Sequence, residues 1–196
     1  MEIDTGRFWI IDVEGSGSSP PEIVELAMLQ VDRLVLTENK RHWFVRPEHG
    51  IKPAATRIHG LTDDDVVGSP DIADIVDDII TWIEDTPIVG HNVKIEVDIL
   101  SRSLPDWKPS SAIDTLKLTK ILKPELASYG LANLGVEFGL ADEAARRTDA
   151  KHHSALYDAT LTALLMIHLL SPLPADERRR VLMEANILDP RQGSLL

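Results

Sequence analysis

Phe8-Trp9-Ile10-Ile11-Asp12-Val13-Glu14 is an apolar run that ends in two carboxylates. Four large apolar residues in succession read as a buried strand, and Gly15-Ser16-Gly17-Ser18-Ser19-Pro20-Pro21 reads as the turn that closes it. On a strand, Asp12 and Glu14 leave the same face. Like charges at that spacing repel, and a divalent cation between them removes the conflict. Asp-x-Glu is common by chance and is equally an exposed strand end, so the remaining chain has to supply the rest of any such site.

Outward from this strand, Glu22 to Val31 reads as a second strand and His42 to Arg46 as a third, stopped by Pro47. Tight connections make these three an antiparallel meander. A loop from Pro47 to Pro53 follows, and Arg57 to Thr62 sits before an acidic turn. Ser69-Pro70 is expected to cap a helix reaching about Glu84, with Ile72, Ile75, Ile79 and Trp82 or Ile83 on one face. Pro87 to Gly90 reads as a short buried strand, and Asn92 as the N-cap of a helix that reaches about Leu104. Ala112 to Asp114 is a last strand, with helices over Thr115–Leu122 and Leu131–Phe138. A polar stretch from Ala141 to Lys151 precedes a long helix, Ser154 to Leu170; Pro172 and Pro174 break it before a terminal helix, Asp176 to Ala185. Strands first, then strands and helices mixed, predict an α/β fold: a mixed sheet of about five strands flanked by helices.

The bulk composition bounds the function. The chain has 196 residues, 43% apolar and 27% charged, which fits one domain with a single substantial core. The absence of cysteine excludes disulfides, thiolate metal sites and cysteine nucleophiles. No apolar run approaches the roughly 18 residues of a membrane span, and Met1-Glu2-Ile3-Asp4 lacks a signal-peptide pattern, so a cytoplasmic protein without membrane association is expected. The formal net charge is -12, from 32 acidic against 20 basic residues. Proteins that wrap long duplex by neutralising phosphates are usually basic, so any nucleic acid would be gripped over a short stretch at a metal-filled cleft or with help from a partner; the plainer role of the acidity is solubility.

Two further segments carry chemistry. On a helix, Asp158 shares a stripe with Leu161, Leu165 and Leu169, and a carboxylate on a core-facing stripe must be paired, hydrogen-bonded or metal-bound. First-turn capping is the plainer role for it. His153 lies five residues earlier, with His152 beside it. In the middle of the chain, Val93, Val97, Leu100 and Leu104 define an apolar helix face; Glu96 lies about 60° from it and Asp98 about 140°. Glu96 is therefore the inward candidate.

Asp12-x-Glu14, then Gly90-His91-Asn92-x-x-Ile95-Glu96, then His153-x-Ala155-Leu156-x-Asp158-Ala159 together resemble the three ordered motifs of the DEDDh family of DnaQ-like 3′→5′ exonucleases. Arg57-Ile58-His59-Gly60-Leu61-Thr62, Ile113-Asp114-Thr115-Leu116 and Ser128 to Leu134 resemble its accessory segments, so the likeness spans roughly residues 8 to 170. Its specificity lies in the order of several weak motifs. The chain departs from the family pattern at Glu96, where aspartate is usual, at Ile95, usually phenylalanine, and in the Gly-Ser-Gly turn after Glu14.

The resemblance implies a ribonuclease H-like fold, assigned to residues 1–171; the tail from Pro172 lies outside the likeness and is expected to be a helical extension, 172–196, packed on the same domain or on a partner subunit. It implies two Mg²⁺ or Mn²⁺ ions held by Asp12, Glu14, Glu96 and Asp158, with His153 as general base. It further implies contacts to the 3′-terminal nucleotide from Gly15, Ser16, His59, His91 and Asn92. The implied substrates are 3′ ends of single-stranded DNA or RNA or short oligonucleotides, cut to nucleoside 5′-monophosphates, and the implied assembly is a homodimer. The alternative is a weakly active or non-catalytic nucleic-acid-binding or regulatory module that keeps the fold. Glu96 and the acidic surface favour it, and the complete set of Asp12, Glu14, Asp158 and His153 disfavours it.

Overall fold

The computed structural model describes residues 6–104, 107–148 and 152–188. Five strands form one sheet: β1 (Arg7–Gly15), β2 (Ile23–Asp32), β3 (Val35–Phe44), β4 (Ile88–Gly90) and β5 (Ala112–Asp114), in the order β3-β2-β1-β4-β5. β1, β2 and β3 pair antiparallel, whereas β4 and β5 run parallel to β1. The carboxyl ends of β1, β4 and β5 therefore meet at one end of the sheet, where α/β folds open a crevice.

Helices α1 (Pro53–His59), α2 (Asp63–Val66), α3 (Ile72–Ile83) and α4 (Lys94–Ser103) precede β5, and α5 (Thr115–Leu122), α6 (Leu131–Glu137), α7 (Ala141–Thr148), α8 (Ala155–Leu170) and α9 (Ala175–Ala185) follow it. Strand alternation sorts the core into two layers. Phe8 and Ile10 of β1 and Ala27, Leu29 and Val31 of β2 pack with α8, α5 and α9. Trp9 and Ile11 of β1 and Leu26 and Met28 of β2 pack with Ile75, Ile79 and Ile83 of α3 and Ile99 and Leu100 of α4. Trp82 meets Trp9 edge-on instead, at 5.9 Å, and carries the Arg41 guanidinium over its outer side at 3.5 Å.

Several sequence expectations need correction. β3 is longer than His42–Arg46 and starts at Val35, because Arg33 and Leu34 take positive φ (50° and 61°) and form a two-residue hairpin turn without glycine. Its middle, Thr37 to Arg41, lies on a sheet edge and is mostly polar, so no alternation marks it. α1 starts where the expected loop ends and was not anticipated, and α7 is a helix inside the stretch read only as polar. Asp71, not Ser69-Pro70, caps α3, through a reciprocal box with Asp74. Asn92 is not the N-cap of α4: it adopts φ 65°, its N–H donates to Asp114 Oδ1 at 2.9 Å, and Val93 starts the helix.

After α8 the chain returns to the same body. α9 packs on α5 and β5, Ile187 N–H donates to Ala112 O at 2.9 Å, and Asn186 Oδ1 accepts from Ala112 N–H at 3.0 Å. Among the described residues no helix is long and apolar enough to cross a membrane.

Gly90 ends β4 packed tightly against the backbone of β1 and the start of α4. A Cβ there would stand 2.9 Å from Val93 Cγ2 and 3.3 Å from Ile11 O. Gly90→Ala is accordingly expected to lose about 1–3 kcal/mol of stability, read by chemical denaturation.

Candidate active site

β1 delivers Asp12 and Glu14 to the face covered by α8, and Asp158 in the first turn of α8 comes down on them. One carboxylate oxygen from each of the three lies within 4.8 Å of the others. Asp158 is only 7% exposed, and the stripe it shares with Leu161, Leu165 and Leu169 is buried along its length. The turn of β4 into α4 brings in the fourth acid. Glu96 is 5% exposed, its Oε2 is buried with no hydrogen-bond partner among the described residues, and its charge acts on Asp12 and Glu14. Asp98 points to solvent and pairs with Lys94 Nζ at 2.6 Å. The helical angle thus chose the inward acid correctly.

Without a cation these carboxyls resist ionising. Burial, then the charges of Glu96, Asp158, Glu14 and Glu25, raises Asp12 well above the usual aspartate range. Burial and then Asp158, Glu25 and Glu96 push Glu14 up to about 8. Glu96 is pushed up to about 8, mainly by burial, with Asp114 adding to it and a backbone hydrogen bond opposing it. Hard, multidentate oxygen donors and an orphaned buried carboxylate oxygen are the chemistry of a divalent-cation site, and these four residues fit Mg²⁺ or Mn²⁺.

The two histidines take different places beside Asp158. His153 has φ 65°, and its backbone N–H donates to Asp158 Oδ2 at 3.2 Å. The ring that hydrogen-bonds Asp158 belongs to His152, whose Nδ1 donates to Oδ1 at 2.8 Å. The His153 ring is exposed and stacks on His152 at 3.8 Å, with a nitrogen within 4.8 Å of an Asp158 carboxylate oxygen.

The expected substrate contacts surround this cluster. Ser16 is buried, its Oγ accepting from Glu22 N–H at 3.1 Å, while its carbonyl takes Lys52 N–H at 2.8 Å and so ties the entry of α1 to the end of β1. His59 Nδ1 accepts from Leu61 N–H at 3.1 Å; its Nε2 is buried with no well-formed hydrogen bond among the described residues, and burial lowers its pKa, opposed by the nearby Gly15 backbone. His91 is a brace inside the fold. Burial lowers its pKa, and the neutral ring donates from Nε2 to Tyr129 O at 2.8 Å while Nδ1 lies 2.9 Å from the Thr115 hydroxyl. Asn92 is exposed at the turn before α4.

Sequence reasoning did not single out Glu25. It is the one acid within β2 before Asp32, 2% exposed and directly opposite Glu14 in the register. A charge inside a run as apolar as Ile23 to Val31 was the available signal. Glu22, Glu48 and His49 also cluster, but there the Glu22 carboxylate accepts from the backbone N–H groups of Glu48 (2.8 Å) and His49 (3.2 Å) and so clamps a loop.

A family model for exonucleases, of the RNase T type, matches residues 9–166. The chain belongs to this exonuclease family. It is 28% identical to DNA polymerase III subunit epsilon of Aquifex aeolicus over 174 residues, covering 86% of this chain and 82% of that protein. It is 29% identical to the PolC-type DNA polymerase III of Oceanobacillus iheyensis over 87% of this chain, but spans only 12% of that polymerase. Among solved structures it resembles exonuclease X in complex with 5′-overhanging duplex DNA, with TM-score 0.67, 28% identity, and 89% of this chain and 99% of that one covered. E. coli exonuclease I bound to a dA16 oligonucleotide shares the fold at TM-score 0.73 and 18% identity, over 90% of this chain and 42% of that one. The fold is thus that of the DnaQ-like, ribonuclease H-like exonucleases, a family that depends on divalent metal.

The raised carboxyls set a pH dependence. The folded protein holds protons that the unfolded chain, with glutamates near 4.5, releases, so metal-free stability falls as pH rises from about 4.5 to about 8. In chelator, the melting temperature should drop between pH 5 and 8.5, less steeply for Glu14→Gln, and Mg²⁺ should restore most at the alkaline end. An equal slope in wild type and Glu14→Gln would contradict the buried-carboxyl account.

Proposed function

We propose that the chain is a metal-dependent 3′→5′ exonuclease that hydrolyses phosphodiester bonds at the 3′ end of mainly single-stranded DNA or RNA and releases nucleoside 5′-monophosphates. The observation that carries this reading is the convergence of Asp12, Glu14 and Asp158, with the buried Glu96 close enough for its charge to act on Asp12 and Glu14 and its Oε2 without a partner among the described residues. Asp12, Glu14, Glu96 and Asp158 would hold two Mg²⁺ or Mn²⁺ ions. When bound, such ions lower the pKa of an attacking water and steady the charge on the departing 3′-oxygen.

The chain's own groups do the rest. The exposed His153 ring, beside Asp158, is placed to take the proton of the attacking water as general base. His152 bonds Asp158 from the same turn and holds that carboxylate in the orientation the cluster needs. The backbone of Gly15 and Ser16, the His59 ring and the His91-Asn92 turn form the surround of the 3′-terminal nucleotide, with His91 acting through the turn it braces. An acidic surface with net charge -12 fits a grip confined to a short end. The extension 172–196 serves the same domain in its described part, up to Leu188, its remainder lying outside the described residues; we take the protein to act as a cytoplasmic homodimer, the dimer being checked by mass measurement in solution.

A 3′-labelled single strand with Mn²⁺ tests the activity: wild type releases labelled mononucleotide, and His153→Ala slows release by about a hundredfold or more. No release by wild type above the His153→Ala background points to the non-catalytic binding module instead. Glu96→Gln is expected to cost at least about a hundredfold in kcat, and Asp98→Asn to stay within about twofold of wild type. Equal losses at both positions would contradict the assignment of Glu96.

A further inference from the structure

Glu25 is a buried carboxylate that the reading above does not use. Its neighbours on β2 are apolar: Val24 and Leu26 flank it, and Ala27, Leu29 and Val31 continue its face into the core. Its cross-strand partner is Glu14. Like charges directly opposite each other destabilise a sheet, and desolvating a carboxylate costs more still. Its charge bears on Asp12, Glu14 and His59.

One hydrogen bond offsets this cost in part. His42, on the edge strand β3 diagonally across from Glu25, donates from Nε2 to Glu25 Oε1 at 2.7 Å, and Phe44 packs against the other side of the imidazole at 4.9 Å. Glu25 Oε2 makes no hydrogen bond among the described residues. An ionised carboxylate offers about four acceptor positions, so the acid is held by His42 through one oxygen and leaves the other without a partner among the described residues. Packing alone would be served better by an apolar residue of the same size.

We propose that Glu25, oriented by His42, is a positioning residue of the cation site, its free oxygen acting as an outer hydrogen-bond acceptor beside the cation that Asp12 and Glu14 would hold. Partners of this kind orient ligands and raise metal affinity without ligating, and their loss typically costs about 10- to 100-fold in affinity. The inference rests on the metal-dependent reading of Asp12, Glu14, Glu96 and Asp158 given above. His42 links this acceptor to the edge of the sheet, so a change on β3 reaches the ions through a single hydrogen bond.

Calorimetric titration of the full chain with Mn²⁺, in parallel with metal-free melting curves, tests it without recourse to activity. Glu25→Gln keeps an oxygen for His42 and removes the repulsion against Glu14. It should bind Mn²⁺ about tenfold more weakly than wild type while its metal-free melting temperature holds or rises. His42→Ala should also weaken Mn²⁺ binding, and His42→Gln, which can still donate to Glu25, should recover most of it. Unchanged affinity in Glu25→Gln overturns the inference and leaves the exonuclease reading standing. A fall in metal-free melting temperature of Glu25→Gln in step with its affinity also overturns it, because that is the mark of a structural acid. If wild type itself binds no Mn²⁺, the metal-dependent reading fails and takes this inference with it.

Discussion

The structure depends on one costly arrangement: carboxylates crowded into a crevice where Glu96 and Asp158 are buried and Asp12 and Glu14 are half-buried. One carboxylate oxygen each of Asp12, Glu14 and Asp158 lies within 4.8 Å of the others, and Glu96 brings a buried oxygen that has no hydrogen-bond partner among the described residues. Burial and mutual repulsion raise Asp12, Glu14 and Glu96 together. A fold selected for stability alone would place apolar side chains here. The arrangement makes physical sense when charge of the opposite sign enters, and the oxygen-rich donor set names a hard divalent cation as its carrier.

The rest of the fold holds that crevice open and in register. β1 presents its acids on one face because alternate residues of a strand share a face. α8 lies across β1 and β2 and lowers Asp158 onto them from a helix that is buried on nearly every side. β4 ends at Gly90, where lack of a side chain lets Val93 and the Ile11 carbonyl approach, and Asn92 then turns through a left-handed conformation fixed by the Asp114 carboxylate. That turn aims α4 so that Glu96 faces inward and Asp98 outward. Asp114 and His91 act as braces for this end of the sheet, Asp114 through two backbone N–H groups and His91 through Thr115 and the Tyr129 carbonyl.

Much of this was legible from periodicity. The strand alternation at Asp12 and Glu14, the helical angle at Glu96 and the buried stripe at Asp158 each follow from a local repeat that the side chains obey. Features set by distant partners were not legible. Asn92 looks like an N-cap, but its N–H is claimed by Asp114, 22 residues away in sequence. β3 is hidden because its exposed edge carries polar residues where a central strand would alternate. Glu25 passes as an ordinary strand residue until the register sets it opposite Glu14. The order of His152 and His153 around Asp158 likewise depends on the positive φ of His153, which no spacing rule reveals.

Proton release on metal binding tests the central claim most directly. Carboxyls raised to about 8 are largely protonated at neutral pH and must lose those protons to ligate a cation. Titrating the protein with Mn²⁺ at pH 7 in buffers of different ionisation enthalpy should report at least about one proton released per protein, declining toward none above pH 9. Tight Mn²⁺ binding with no proton release at pH 7 would contradict the account, because the cation would then occupy groups other than these buried carboxyls.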